Sequence, residues 1–263
     1  MTRSAAEGAA VVATGLDGVA LKPTEHDLDA AADLPAATTV VIDYEGADSL
    51  PAPETLAGLA ADRPVRVTTP VRANGFDPLG DDSLAAAVPE RAGRVLVAGH
   101  EAYLDAGERA RAVAPRLQAA AADCEDPWVG TEGIERLALA TGHTQFELLA
   151  PSTERDIRAL RAAGFDGEIA VYAPVVLSTD ENTVLDALGA YAARRGSVAA
   201  DLPERAPTDS RVGGGAREAL LEGCRNYALC GEPARVRRRV GALADAGADS
   251  VVGYPAAGLD GLL

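Results

Sequence analysis

Residues 145–176 read QFELLAPSTERDIRALRAAGFDGEIAVYAPVV. The apolar run Gln145–Leu149 breaks at Pro151, and Ser152 or Thr153 then caps a helical stretch that stops at Gly164. A turn at Asp166–Gly167 leads into a second apolar run, Glu168–Ala173. The two runs flank a helix, and apolar residues follow one another in them without a polar alternation. That is the pattern of parallel strands covered on both faces.

The same unit recurs outward from this segment. Further apolar runs stand at Gly18–Lys22, Thr38–Asp43, Pro64–Thr69, Arg94–Ala98, Pro127–Gly130 and Ser250–Tyr254. Eight strand–helix units in about 250 residues match the size of one closed (β/α)8 barrel of TIM type. The sequence therefore predicts a single α/β domain over 1–263, with an irregular excursion at about 198–225, SVAADLPERAPTDSRVGG and the helical AREALLEGCRNY. Barrels of this kind carry their chemistry at the carboxyl ends of the strands.

Between the strands, Thr24 with Asp27 announces a first helix that runs to Pro35, and a second starts near Pro53–Glu54. The loop PVRANGFDPLGDDS after the third strand overhangs the active-site end, and a long Ala/Arg helix is expected from Glu101 to Asp123. Strand five rests on Trp128 and Val129 alone; if it is a turn, the barrel loses a strand or recruits Val11–Ala13. Ser178 or Thr179 precedes the acidic start of the next helix.

The chain carries 40 acidic and 24 basic residues, net charge -16, and Lys22 is its one lysine among arginines. This acidic, alanine-rich, lysine-poor composition resembles that of salt-in halophilic archaea; GC-rich codon usage favours the same trend. A field of this sign repels nucleic acid and anionic membranes, so neither is expected as a partner. No stretch approaches the roughly 20 apolar residues of a membrane span, and the first residues lack the apolar core of a signal peptide. Cys124, Cys224 and Cys230 show no metal-ligand or CxxC spacing. A cytoplasmic protein is expected.

The closing segment CGEPARVRRRVGALADAGADSVVGYP resembles the end of the luciferase-like barrels, the FMN- and coenzyme F420-dependent monooxygenases and reductases. The residues that carry the resemblance are Gly231, Pro233, Val236, Ala246, Gly247, Ala248, Asp249 and Val251–Val252. Upstream, the strand–helix–turn–strand around Asp166–Gly167 is similar to the stretch before it. The likeness covers about 145–254, with a gap at 198–225, and the amino-terminal half lacks the family's Glu-His or Asp-His signature. It implies a (β/α)8 fold, F420 or FMN as cofactor, hydride transfer with a small-molecule substrate, and a homodimer.

The polar residues at the strand ends are Lys22, Asp43, Glu45, Thr69, Arg72, His100, Glu101 and Glu147, with Tyr172 and Tyr254 on late strands. Lys22 directly follows GVAL, where it suits an anionic cofactor or, if desolvated, a base; otherwise it is a chance loop lysine. His100 and Glu101 suit proton transfer, or simply start a helix. Asp43 and Glu45 share one side of the chain and Tyr44 takes the other. Arg72 suits a phosphate or carboxylate clamp, or balances Asp77, Asp81 and Asp82. Trp128 is a core indole or a cofactor-stacking one, and His26 and His143 read as structural. Gly213–Gly215 resembles a phosphate loop without its lysine and reads as a hinge.

The catalytic candidates are thus His100, Glu101 and Lys22, and the cofactor candidates Lys22, Thr69, Arg72, Trp128 and Tyr172, with no metal site. Two other readings stay open: a barrel that has lost its cofactor and serves as a binding or regulatory protein, and cofactor-free lyase or isomerase chemistry through Lys22.

Overall fold

Strands apolar on both faces need cover on both, and closing the sheet on itself under a layer of helices supplies it. The computed structural model describes residues 9–72, 75–98 and 106–263. Its strands are β1 (Gly18–Leu21), β2 (Thr39–Ile42), β3 (Val65–Pro70), β4 (Gly93–Val97), β5 (Trp128–Gly130), β6 (Thr144–Leu148), β7 (Ile169–Val176), β8 (Leu229–Cys230) and β9 (Ser250–Pro255). Every pairing is parallel. β1 to β7 follow one another around the ring, and β9 closes it between β7 and β1. This is the (β/α)8 barrel.

β8 is an addition to the ring. β6 pairs with β7 as far as Tyr172, and the Tyr172 carbonyl accepts the Leu149 N–H. Beyond that point β8 takes the same edge, opposite Val175 and Val176, and the Val176 carbonyl accepts the Gly231 N–H. The Ile169 and Val175 carbonyls point the other way, to Asp249 and Ala256 at either end of β9.

The helices are α1 (Ala9–Thr14), α2 (Pro53–Asp62), α3 (Ala106–Arg109), α4 (Val113–Ala122), α5 (Glu135–Thr141), α6 (Thr153–Ala162), α7 (Glu181–Ala193), α8 (Gly196–Asp201), α9 (Gly214–Tyr227) and α10 (Pro233–Ala246). Strand alternation divides the core. Ala20, Val41, Val95, Phe146, Ala170 and Val252 fill the barrel. Leu21, Ile42, Val67, Ile169, Val171 and Val251 face outward with Ile157 of α6 and Leu243 of α10. Among the described residues no helix is long and apolar enough to cross a membrane.

Several local expectations are corrected. The helix expected from Thr24 shrinks to a 3-10 turn at Asp29–Asp33. The Thr24 N–H and hydroxyl both donate to Glu45, at 2.9 and 2.6 Å, so no capping box forms with Asp27. The long helix expected after β4 is two short ones, α3 and α4, and residues 101–105 lie outside the described region. Pro115 has no N–H and its ring would clash with the Arg111 carbonyl of a continuous helix, so it is accommodated in the first turn of α4. Strand five does form, as β5, while Val11–Ala13 belong to α1. The cap of α7 is Asp180, which accepts from Thr183 N at 2.8 Å, rather than Ser178 or Thr179.

The 198–225 excursion is largely helical. α8 and α9 pack on α7 through Leu185, Leu188, Ala192, Val198, Leu220 and Cys224. Gly189 of α7 lets the connecting chain come close, since a Cβ there would lie 2.1 Å from the Thr208 carbonyl oxygen.

The long loop after β3 is tied down through Asp77. Its Oδ2 accepts from Arg111 at 3.0 Å and from Arg116 at 2.9 Å, and the Arg116 side chain is 1% exposed. Removing one partner of a buried ion pair leaves the other charge without compensation. We expect Asp77→Ala to cost about 3 kcal/mol of unfolding free energy in urea titrations; a change under about 0.5 kcal/mol would refute this role for the clamp.

Candidate active site

Period-two alternation decides which side chains reach the mouth at the carboxyl ends of the strands. Asp43, one residue past β2, continues the inward series of Val41, and Tyr172 and Tyr254 continue it on β7 and β9. The Tyr172 hydroxyl donates to Asp43 Oδ2 at 3.3 Å. Thr68 of β3 is also inward, with its Oγ1 3.5 Å from Asp43 Oδ1, and it accepts the Tyr44 N–H at 2.7 Å. Tyr44 turns outward, edge-on to Phe76 at 5.1 Å.

Above this carboxylate the two tyrosine rings stack, 6.4 Å apart and 17° from parallel. Tyr172 meets Phe146 edge-on at 5.7 Å, and Phe146 in turn meets Trp128 at 5.5 Å, so an aromatic column runs down the barrel. Lys22 Nζ lies 4.7 Å over the Tyr254 ring and pairs with Glu25 at 2.9 Å, while the Tyr254 hydroxyl donates to the other Glu25 oxygen. His26 braces the group from the turn after β1. Its Nδ1 accepts the Lys22 N–H at 3.0 Å, so Nε2 carries the proton and donates to the Pro255 carbonyl at 3.2 Å.

Burial dominates the electrostatics. Asp43 keeps some contact with solvent at the mouth, yet desolvation pushes its carboxyl up to about 6 against the pull of Lys22 and the Tyr172 hydrogen bond. Burial and the neighbouring Asp43 raise the Tyr172 phenol well above its ordinary value. Burial and Glu25 raise Tyr254. Burial raises Glu25 too, but hydrogen bonds from Tyr254 and Lys22 outweigh it, and its net shift is downward.

Of the residues singled out by sequence, Lys22, Asp43, Tyr172 and Tyr254 come together here. Thr69 faces the helices, with its hydroxyl on the Val67 carbonyl at 3.1 Å, and Thr68 stands in the mouth instead. Arg72 is buried and donates to the carbonyls of Ala98, Glu108 and Arg111 at 3.1, 2.8 and 2.9 Å, which holds the chain around α3 rather than a ligand. Trp128 sits deep in the barrel under the Arg66 guanidinium, 4.3 Å from its ring centroid. Glu147 is on the outer side of β6, where burial and the carboxylates of Asp156 and Glu135 raise it. His100 and Glu101 lie outside the described residues. Sequence reasoning missed Glu25 and Thr68: the first is three residues from the chain's one lysine, and the second needed the register of β3.

The raised Asp43 carboxyl makes stability depend on pH. Between its unfolded value near 3.8 and its folded value of about 6, the folded protein holds the proton and the unfolded chain releases it. Stability from this group is therefore present below that window and falls as pH rises through it, by about 2 kcal/mol after allowance for solvent contact. We expect Asp43→Asn to match the wild type near pH 4 and to exceed it by that amount at pH 7 in urea unfolding. Parallel pH profiles for the two proteins would overturn the assignment.

Two of the solved structures that this chain resembles bear on the fold. One is an F420-dependent secondary alcohol dehydrogenase in complex with an F420-acetone adduct: TM-score 0.59, 13% identity, covering 93% of this chain and 95% of that one. The other is apo-MsnO8: TM-score 0.53, 16% identity, covering 90% and 92%. Both likenesses show the fold alone, the (β/α)8 barrel. No curated protein matches. A family model matches residues 11–262, and the chain belongs to that family, a family of unknown function (DUF7388).

Proposed function

We propose that this protein is a luciferase-like oxidoreductase that holds coenzyme F420, or FMN, at the barrel mouth and passes a hydride to or from a small substrate. The observation that carries this reading is the Asp43–Tyr172 contact beneath the stacked tyrosines. It sets a carboxyl that titrates at about 6 next to an aromatic surface. The likeness to an F420-dependent alcohol dehydrogenase supports the redox class.

The mouth fits the ring of such a cofactor better than its anionic tail. Tyr254, half-buried at the rim and stacked on the buried Tyr172, offers aromatic surface to a planar ring. Lys22 is already paired with Glu25 and lies in the field of Asp43, which Glu45 also faces, so this end disfavours a phosphate. The bound deazaflavin or flavin supplies the hydride chemistry. The chain's own part is the proton: Asp43 gives it to a substrate oxygen below about pH 6 and takes it above. Tyr172 keeps that carboxyl oriented, and Lys22 holds Glu25 ionised at the Tyr254 hydroxyl. His100 and Glu101, after β4, are the further proton-transfer candidates.

Fluorescence titration with F420 and, separately, FMN in molar salt tests the proposal. Saturable binding in the micromolar range is expected. Tyr172→Ala and Tyr254→Ala should weaken it about ten-fold through lost stacking, while Asp43→Asn should leave it within about three-fold, as expected of a group that acts on the proton. No binding of either cofactor by folded wild-type protein would sink the proposal and leave a barrel that binds without redox chemistry.

A further inference from the structure

We infer that a second site, a groove for the phosphate group of a small phosphate monoester, is built by Arg225, Arg235, Arg238 and Arg239 against β8. Two cavities of about 340 and 320 Å³ share Arg225, Cys230, Arg235 and Arg238 as walls. Arg239 lines the first, and Ser178 and Thr179, at the carboxyl end of β7, line the second. The groove shares no lining residue with the Asp43–Tyr172–Tyr254 cluster, and it needs no cofactor there.

The balance of charge singles the groove out in a chain of net charge -16. Glu181, on its wall, is bridged by Arg217 at 3.3 Å and Arg225 at 3.6 Å. Arg239 donates to the carbonyls of Arg225, Asn226 and Ala228 at the end of α9, which fixes its position and keeps its charge. Arg235 and Arg238 have no side-chain partner among the described residues; the further acids nearby are the exposed Glu232 on the wall of the second cavity and Glu154, whose charge reaches Arg239. They lie three apart on α10, so both project from one face, while Val236, Val240 and Leu243 bury the other.

Arg235 is also misplaced for the helix. It occupies the first turn of α10, where the dipole favours anions; the N-cap Glu232 makes no side-chain capping bond, and no acidic residue stands in the turn itself. A bound anion answers both the dipole and the two unpaired guanidiniums. Forked guanidiniums with two hydroxyls at hand suit a tetrahedral oxyanion with several acceptor oxygens better than a single carboxylate. The space accommodates a phosphate and a few carbons, while the field of the whole molecule excludes a nucleic-acid polymer.

Cys230 reports occupancy, because it lines both cavities and burial raises its thiol despite the nearby arginines. In a Cys124→Ser background, with Cys224 buried, its modification by a thiol-reactive disulfide is followed at the lowest KCl that preserves the circular dichroism spectrum. Glycerol 3-phosphate should slow modification saturably, and the folded Arg235→Gln/Arg238→Gln double variant should need about ten-fold more of it. Protection by glycerol 3-phosphate identifies a phosphorylated small molecule as the source. Protection by FMN at concentrations where glycerol 3-phosphate is silent identifies the flavin's own phosphate. Either result supports the groove, even when the mouth binds no cofactor. Equal protection by sulfate at matched ionic strength, undiminished protection in the double variant, or no protection by any phosphate would overturn it.

Discussion

The structure depends on the seam where β9 enters between β7 and β1, because without it the other strands form an open sheet with two bare edges. Two carboxylates set its register. Asp249, at the start of β9, accepts the Ile169 N–H at 2.8 Å and pairs with Arg161. The same guanidinium donates to the carbonyls of Phe165, Gly167 and Gly247, which binds the turn before β7 to the turn before β9. Asp17 accepts the Val251 N–H at 2.9 Å and performs the equivalent task toward β1. Gly253 completes the seam, since a Cβ there would come within 2.8 Å of both Leu16 and Val175. A slip of one residue would exchange the inner and outer faces of β9 and place Val251 and Tyr254 on the wrong sides.

The residues that carry the family resemblance are concentrated at this seam. Asp166–Gly167, Gly247 and Asp249 stand at its amino-terminal end, the end of a barrel that serves stability. The aromatic and acidic cluster stands at the opposite end, on β1, β2, β7 and β9 and the turns after them. Likeness at the seam therefore reports how the ring is closed and is physically independent of what the mouth does. The Asp43–Tyr172 pair joins the two levels: strands locked at one end bring side chains 129 residues apart into hydrogen-bonding range at the other.

What was legible in the sequence follows from the range of the deciding interaction. Fully apolar strands and the period-two split of Asp43 from Tyr44 are local, and β5 forms even from Trp128 and Val129. The helix expected at Thr24 fails because its cap competes with Glu45, 21 residues away. Thr69 and Thr68 exchange roles because only the pairing with β2 and β4 tells which one faces inward. Arg72 looks free in sequence and is held in the fold by carbonyls 26, 36 and 39 residues distant. Glu25 was within local reach, as the i+3 neighbour of Lys22.

That single lysine is the last link between composition and site. Everywhere else the chain meets its need for cations with arginine, whose planar fork here serves carbonyl ends and carboxylate pairs, as at Arg161 and Arg239. At Lys22 the requirement differs. The cation must approach the Tyr254 ring face and Glu25 together, and its backbone N–H must reach His26. A compact ammonium on a flexible stem meets the ring and one carboxylate oxygen without a plane to align. A guanidinium in its place would favour a bidentate grip on Glu25, competing with the Tyr254 hydroxyl for the second oxygen. The tyrosine stack would then lose its tether to the rim, and Asp43 the point charge that holds its carboxyl below the value burial alone would set.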